Sequence, residues 1–72
     1  MKRNYLVILE RADDGSASAY VPDLPGCIAA ADSVAEVERL IHEAIDFHIE
    51  GLRERGASVP PPVSESRSVQ AG

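Results

Sequence analysis

The sequence is poor in the residues that usually stabilise very small domains. It has no tryptophan, one phenylalanine, two tyrosines and a single cysteine among 72 residues. One cysteine, Cys27, excludes an internal disulfide, and no cysteine and histidine cluster has the spacing of a zinc site. A chain this short buries only about 60% of the surface that its unfolded form exposes. Association with another chain is therefore the remaining source of extra burial.

Positive charge and long apolar runs are also scarce. Seven Lys and Arg face twelve Asp and Glu, which gives a net charge of −5. Nucleic-acid binding depends on neutralising phosphates, so this balance disfavours it, whereas an acidic surface speeds encounter with a basic partner. The apolar run after Lys2 and Arg3 is too short for a signal peptide, and no run reaches the length of a membrane span. With an unpaired thiol, these features predict a cytoplasmic protein with no membrane contact.

Three short segments have the composition of β-strands. Residues 5–9 form an apolar run rich in strand formers, residues 17–21 alternate before Pro22, and residues 27–30 are small and apolar. The segment 12–16 contains an Asp-Gly turn, which predicts an antiparallel hairpin between the first two strands.

A long amphipathic helix is predicted over residues 34–55. Ser33 and Glu36 have the spacing of a capping box, in which each side chain bonds the backbone N–H of the other residue. Gly56 has the place of a C′ residue after the last turn. One stripe of the helix is apolar, and its members are Val34, Val37, Ile41, Ala44, Ile45 and Leu52.

These elements predict an α+β fold in the order β-β-β-α-(β). The antiparallel sheet has three to four strands, with one long helix across one face. Residues 1–62 form the domain and residues 63–72 a tail, in which 63–69 is a candidate short edge strand. Because residues 5–9 are apolar on both faces, one face is expected to take the helix and the other a second chain. Homo-oligomerisation, as a dimer or tetramer, is the expectation.

No catalytic set is apparent. Cys27 has no base and orienting group in a recognisable pattern, so a buried apolar role is favoured. His42 and His48 project about 240° apart on the helix, so they do not chelate one metal. Glu10 and Asp23 leave open an alternative reading as a metal-dependent nuclease remnant. A structural or regulatory oligomer with a different protein partner is a further alternative, and no enzyme activity, metal or cofactor is expected.

The link between the second and third strands is the most constrained segment. We call this segment the connector, and its residues are Pro22, Leu24, Pro25, Gly26 and Cys27. Taken alone, they predict a rigid structural bend. The run from Tyr20 to Cys27, the Asp32-Ser33 helix start and the prolines after Gly56 resemble the HicB-like antitoxin family of type II toxin–antitoxin systems. The similarity runs from about Tyr5 to Pro62.

The resemblance implies a degenerate ribonuclease-H-like fold without a working metal site. It also implies that the chain binds and neutralises a HicA-type toxin, a small basic RNA-cleaving protein, by covering its active surface. Many family members carry a DNA-binding segment at the C-terminus; here ten residues follow Pro62 with Arg67 as their only basic residue, so no direct operator binding is expected. On charge and exposure, the candidate partner-binding residues are Glu10, Asp13, Asp14, Tyr20 and Asp23.

Overall fold

The structure is a computed structural model that describes residues 3–72; Lys2, named above, lies outside them. The elements are β1 (Ile8–Arg11), β2 (Ala17–Tyr20), β3 (Ile28–Ala31) and α1 (Val34–Glu54). The strands form an antiparallel sheet in the order β1-β2-β3, and α1 crosses one face over β2 and β3. The predicted α+β fold is confirmed, with three strands.

The turn between β1 and β2 forms where the sequence predicts it. The Gly15 amide donates to the Ala12 carbonyl at 3.1 Å, and the Ala12 amide donates to the Ser16 carbonyl at 2.9 Å. Gly15 has a φ of 93°, which a residue without a Cβ adopts without strain. The turn pins the hairpin register, in which Glu10 lies opposite Ser18.

The first strand begins later than predicted. β1 starts at Ile8 rather than Tyr5 and continues through Arg11. Ile8 lies opposite Tyr20, the last residue of β2. Residues 5–7 have no facing strand, because the chain leaves the sheet after Tyr20 and Pro22 has no backbone N–H to donate. The third strand is likewise shifted by one residue, to Ile28–Ala31.

The connector is built from two successive turns around a buried leucine. The Leu24 amide donates to the Val21 carbonyl at 3.1 Å, and the Cys27 amide donates to the Leu24 carbonyl at 3.0 Å. A third bond, from the Val21 amide to the Cys27 carbonyl, closes the loop at 3.1 Å. Gly26 has a φ of 87°, as the third position of a Pro-Gly turn requires. The predicted rigid bend is therefore also part of the core, since Leu24 is fully buried.

The helix begins and ends close to its predicted limits. The Ser33 hydroxyl accepts from the Glu36 amide at 3.2 Å, which confirms the N-cap. The prediction of a second bond, from the Ser33 amide to the Glu36 carboxylate, is wrong, because the Glu36 carboxylate pairs with Arg39 one turn later. Arg55 is the C-cap, and Gly56 follows with the positive φ of a C′ residue.

The core lies between the sheet and α1 and is small. Within residues 3–72 no polar side chain is buried. Besides Leu24, the core comes from alternate residues of the segment 17–21, from one further connector residue and from one face of the helix: Ala17, Ala19, Val21, Cys27, Val37 and Ile41.

The chain after the helix returns along the sheet without joining it. The Tyr5 hydroxyl donates to the Pro60 carbonyl, and the Arg3 guanidinium donates to the Val59 carbonyl at 3.4 Å. Residues 57–72 contain no strand, so the predicted edge strand at 63–69 is wrong. The prolines at 60–62 offer no N–H groups, and the next two amides bond to a side chain instead of a strand.

Candidate protein-binding site

The sheet face opposite α1 has no covering element among the described residues. Its members follow from the register, in which Ile8, Tyr20 and Ile28 form one row. Tyr20 is 43% exposed and Ile28 is 69% exposed, although both are large and apolar in body. We call this surface the open sheet face, and it consists of Ile8, Glu10, Ser18, Tyr20, Ile28 and Ala30.

An acidic rim borders the open sheet face at the hairpin end. Glu10 lies on the face itself and is exposed, and Asp13 and Asp14 are exposed in the turn beyond it. Asp14 accepts from the Ser16 hydroxyl at 2.6 Å and from the Ser16 amide at 3.0 Å. These two bonds, the hydroxyl first, lower the pKa of the Asp14 carboxyl from its ordinary value. Asp14 is therefore negative at neutral pH and partly fixed in position.

Asp23 lies apart from this rim and has a different contact. One carboxylate oxygen accepts from the amides of Val63 at 3.0 Å and Ser64 at 2.9 Å, and the other accepts from the Ser64 hydroxyl at 2.9 Å. These bonds, the Ser64 amide first, lower the pKa of Asp23. Asp23 thus holds the returning tail, a role that the sequence does not predict because its partners lie 40 and 41 residues away.

Cys27 has the buried position that the sequence predicts for it. Burial raises the pKa of its thiol, which keeps it protonated and disfavours a nucleophilic role. Across residues 3–72, no three His, Cys, Asp or Glu side chains lie close enough to hold a metal ion together. Both oxygens of Asp23, one of the two acids behind the nuclease alternative, are bonded to the tail.

The structure brings four of the five candidate partner-binding residues to one region. Glu10 and Tyr20 share the open sheet face, and Asp13 and Asp14 form its rim. Ile28 was not among the candidates, yet the register places it beside Tyr20. A signal for Ile28 was present in the sequence: Cys27 was predicted to be buried, and alternation along the strand places the next residue on the opposite face.

The surface belongs to a chain whose family is recognisable. A family model described as the HicB_like antitoxin of bacterial toxin-antitoxin systems matches residues 5–71. The chain belongs to the HicB-like antitoxin family. This membership makes it a protein of an antitoxin family rather than an enzyme, as the sequence predicts. The ribonuclease-H-like description of the fold stays a prediction.

Relatives of the HicB-like chain occur in bacteria, archaea and phage. A UPF0150 protein of Synechocystis is 40% identical over 57 residues, covering 79% of this chain and 72% of the relative. A UPF0150 protein of Thermoplasma acidophilum is 34% identical over 67 residues, covering 93% and 97%. An uncharacterized 14.9 kDa protein of Haemophilus phage HP1 is 41% identical over 56 residues, covering 78% of this chain. The match spans only 41% of that phage protein's length.

A solved structure with the same fold comes from a complex. It is described as a HicA3 and HicB3 toxin-antitoxin complex, and it superposes with a TM-score of 0.68 at 31% identity. The match covers 83% of this chain and 70% of the solved one. Within residues 3–72, no helix has the length and apolar character needed to cross a membrane.

Proposed function

We propose that this HicB-like chain binds and neutralises a small basic toxin of the HicA type, an RNA-cleaving protein, by covering its active surface. The open sheet face and its acidic rim form the binding surface. Binding takes place in the cytoplasm, where the single thiol stays reduced.

The exposed Tyr20–Ile28 pair on the same sheet face as Glu10, with Asp13 in the turn at the end of that face, is the observation that carries this proposal. Protein interfaces place aromatic and large apolar side chains at the centre and charged residues at the rim. A basic toxin meets complementary charge at Glu10, Asp13 and Asp14, while Tyr20 and Ile28 are desolvated against it. Family membership and the likeness to an antitoxin from a toxin complex support the same assignment.

Asp23 is not part of the surface in this proposal. Three bonds from the tail engage both of its carboxylate oxygens, so it contributes negative charge near the connector while its side chain is held by the tail. The connector residues support β2 by packing on the helix side of the sheet, where Leu24 and Cys27 are buried in the core.

Self-association is the second part of the proposal. The buried set is small, and large apolar side chains stay exposed on the sheet and on the helix, including Ile28 and Phe47. Burying such side chains between two copies adds the apolar contact that a chain of this size lacks.

An inhibition assay tests the proposed function. A small basic protein of the HicA type is purified, its cleavage of a test RNA is measured, and the chain is added in increasing amounts. Cleavage is expected to stop near equimolar antitoxin. Unchanged cleavage at excess antitoxin, with both proteins folded, would contradict the proposal. Cleavage by the HicB-like chain alone with Mg²⁺ or Mn²⁺ would instead support the nuclease alternative.

A further inference from the structure

A shallow depression lies on the open sheet face at its hairpin end. Its volume is about 370 Å³, and it is lined by Glu10, Ser18 and Ala30 together with the adjoining ends of the three strands and the turn. Its lining includes no residue of α1, so the depression opens on the side of the sheet away from the helix. It is therefore part of the surface proposed above for the toxin.

The depression arises from the sizes of the side chains on this face. The row that contains Tyr20 and Ile28 is large and apolar, and the next row towards the hairpin consists of Glu10, Ser18 and Ala30. Residues directly opposite each other in neighbouring strands have Cβ atoms about 5 Å apart. Ser18 and Ala30 project only a short way from the sheet, so they form a floor beside the taller apolar row. Glu10 lies at the β1 end of this floor.

The Glu10 carboxylate has no bonding partner in the described part of the chain. The ion pairs among residues 3–72 involve Arg39 or Arg67, and no side-chain hydrogen bond there reaches Glu10. Arg11 is the next residue, but successive side chains of a strand point to opposite faces, so it is turned away from the Glu10 carboxylate. Glu10 thus carries an exposed negative charge next to a floor of small residues.

Ser18 adds a second polar group to the floor. It lies on the central strand and is exposed, and its hydroxyl makes no hydrogen bond within residues 3–72. The side chain of Ser18 is directly opposite that of Glu10. The two carboxylate oxygens and the hydroxyl oxygen therefore form a group of neighbouring acceptors for a donor that enters the depression.

A toxin that covers this face has to satisfy Glu10. An ionised carboxylate that is removed from water without a partner costs binding free energy, so an apolar surface over Glu10 would weaken the complex. A cationic side chain at this point removes the cost and forms a charge-assisted hydrogen bond. The depression gives such a side chain the room that the large residues of the neighbouring row do not.

We propose that one arginine side chain of the basic toxin lies in this depression, with its guanidinium on Glu10 and Ser18 and its aliphatic stem on Ala30. The inference rests on the proposed function and names the residue type that this part of the open sheet face recognises. A guanidinium has five N–H donors in one plane, so it can form two parallel bonds to a carboxylate and still donate to a hydroxyl. A lysine ammonium is a compact point charge and does not match a carboxylate in this paired way. The methylene groups of arginine cover apolar surface while its charged end stays on the polar groups.

The surroundings of the depression favour the same occupant. Tyr20 and Ile28 lie on one side, and when the toxin covers them they exclude water from the ion pair, which strengthens its hydrogen bonds. Asp13 and Asp14 are exposed in the turn on the other side, and their charge attracts a cation towards the hairpin end. The arginine thus lies between an apolar contact and an acidic border, the arrangement of an interface anchor.

A double-mutant cycle identifies the arginine. The affinity of a HicA-type toxin is measured by isothermal titration calorimetry with the wild-type chain and with Glu10→Gln, against toxin variants in which each basic residue is changed singly to methionine. Glu10→Gln is expected to weaken binding about 10-fold or more, because it keeps the shape of the side chain and removes its charge. In the variant of one toxin arginine, Glu10→Gln is expected to have little further effect. Glu38→Gln, an exposed position on α1, is the matched control and is expected to change affinity less than about twofold.

Ser18→Leu tests the depression itself. The leucine side chain fills the floor, so toxin affinity is expected to fall about 10-fold or more, while Ser18→Ala leaves the space open and is expected to cost about threefold. Ser58→Leu, the same substitution at an exposed residue after the helix, is expected to have no effect. A toxin held by apolar contact alone would bind Ser18→Leu at least as tightly as wild type, and this result would contradict the inference. Circular dichroism checks that each variant is folded, and Glu10→Gln provides the test if Ser18→Leu is not.

The inference and the proposed function fail in different ways. If the wild-type chain inhibits the toxin and both Glu10→Gln and Ser18→Leu bind it as tightly, the inference is wrong and the antitoxin proposal stands. Coupling of similar size between Glu10 and several basic toxin residues, or coupling to a lysine, would overturn the assignment of one arginine. Toxin that neither binds the wild-type chain nor is inhibited by it would remove the proposed function and the inference with it.

Discussion

At the scale of single residues, the connector gives the clearest case of one side chain fixing local structure. Leu24 is fully buried, and its backbone bonds both turns of the connector through its own N–H and C=O. The prolines on either side restrict the chain to the conformation that inserts Leu24 between sheet and helix. The rigid link that the sequence predicts therefore also fixes the position of a core residue.

We expect Leu24→Ala to destabilise the fold by about 2–5 kcal/mol, the range for truncating a buried leucine. A domain of this size has little stability to spare, so the variant should be largely unfolded at room temperature. Urea unfolding followed by circular dichroism measures the change. Val69→Ala, on an exposed tail residue, is the control, and an equal effect of both substitutions would contradict this account of the core.

Asp23 predicts how the tail responds to pH. Bonds from the tail hold the pKa of this carboxyl below its ordinary value of 3.8. A lowered folded pKa means that the contact is intact above 3.8 and is lost as pH falls through the folded pKa. The Ser64 amide resonance, followed by NMR from neutral pH to about pH 2, should therefore titrate with a midpoint below 3.8. A midpoint at or above this value would show that the bonds to Asp23 do not form in solution.

At the scale of elements, local patterns predicted the helix and hairpin, and long-range contacts decided the rest. Ser33 and Gly56 mark the helix ends through bonds within a few residues of them, so the sequence shows both limits. β1 begins at Ile8 because its partner strand ends at Tyr20, and no local pattern carries that information. The tail contact at Asp23 was not predicted for the same reason.

The helix start gives a prediction at this scale. We expect Ser33→Ala to destabilise the fold by about 1 kcal/mol, because the Glu36 amide loses its acceptor. Ser58→Ala, on an exposed residue after the helix, should have a much smaller effect. Thermal unfolding of both variants checks this, and similar losses would contradict the cap as the cause.

At the scale of the whole molecule, a small core leaves large apolar side chains exposed both on the open sheet face and on α1. The open sheet face, with its acidic rim, is assigned to a basic toxin. Composition alone predicted a partner, because an acidic chain without disulfides buries little surface. The number and position of the surfaces required the strand register, which places Tyr20 beside Ile28 and leaves β3 at an edge.

Phe47 gives a separate prediction for the toxin complex. Because Phe47 lies on α1, on the opposite side of the sheet from the open sheet face, Phe47→Glu should leave toxin affinity within about threefold of wild type. Isothermal titration calorimetry with a small basic protein of the HicA type measures this. A large loss of toxin affinity in Phe47→Glu would place the toxin against α1.

The most direct test of the central claim is toxin affinity after charge reversal at the rim. In Glu10→Lys/Asp13→Lys, two exposed acids become basic, and we expect affinity to fall about 30-fold or more. Glu38→Lys/Glu54→Lys makes the same change in net charge on the helix, and it should cost less than about fivefold through long-range attraction alone. Equal losses in the two double variants, or no loss in the first, would contradict toxin binding at the open sheet face.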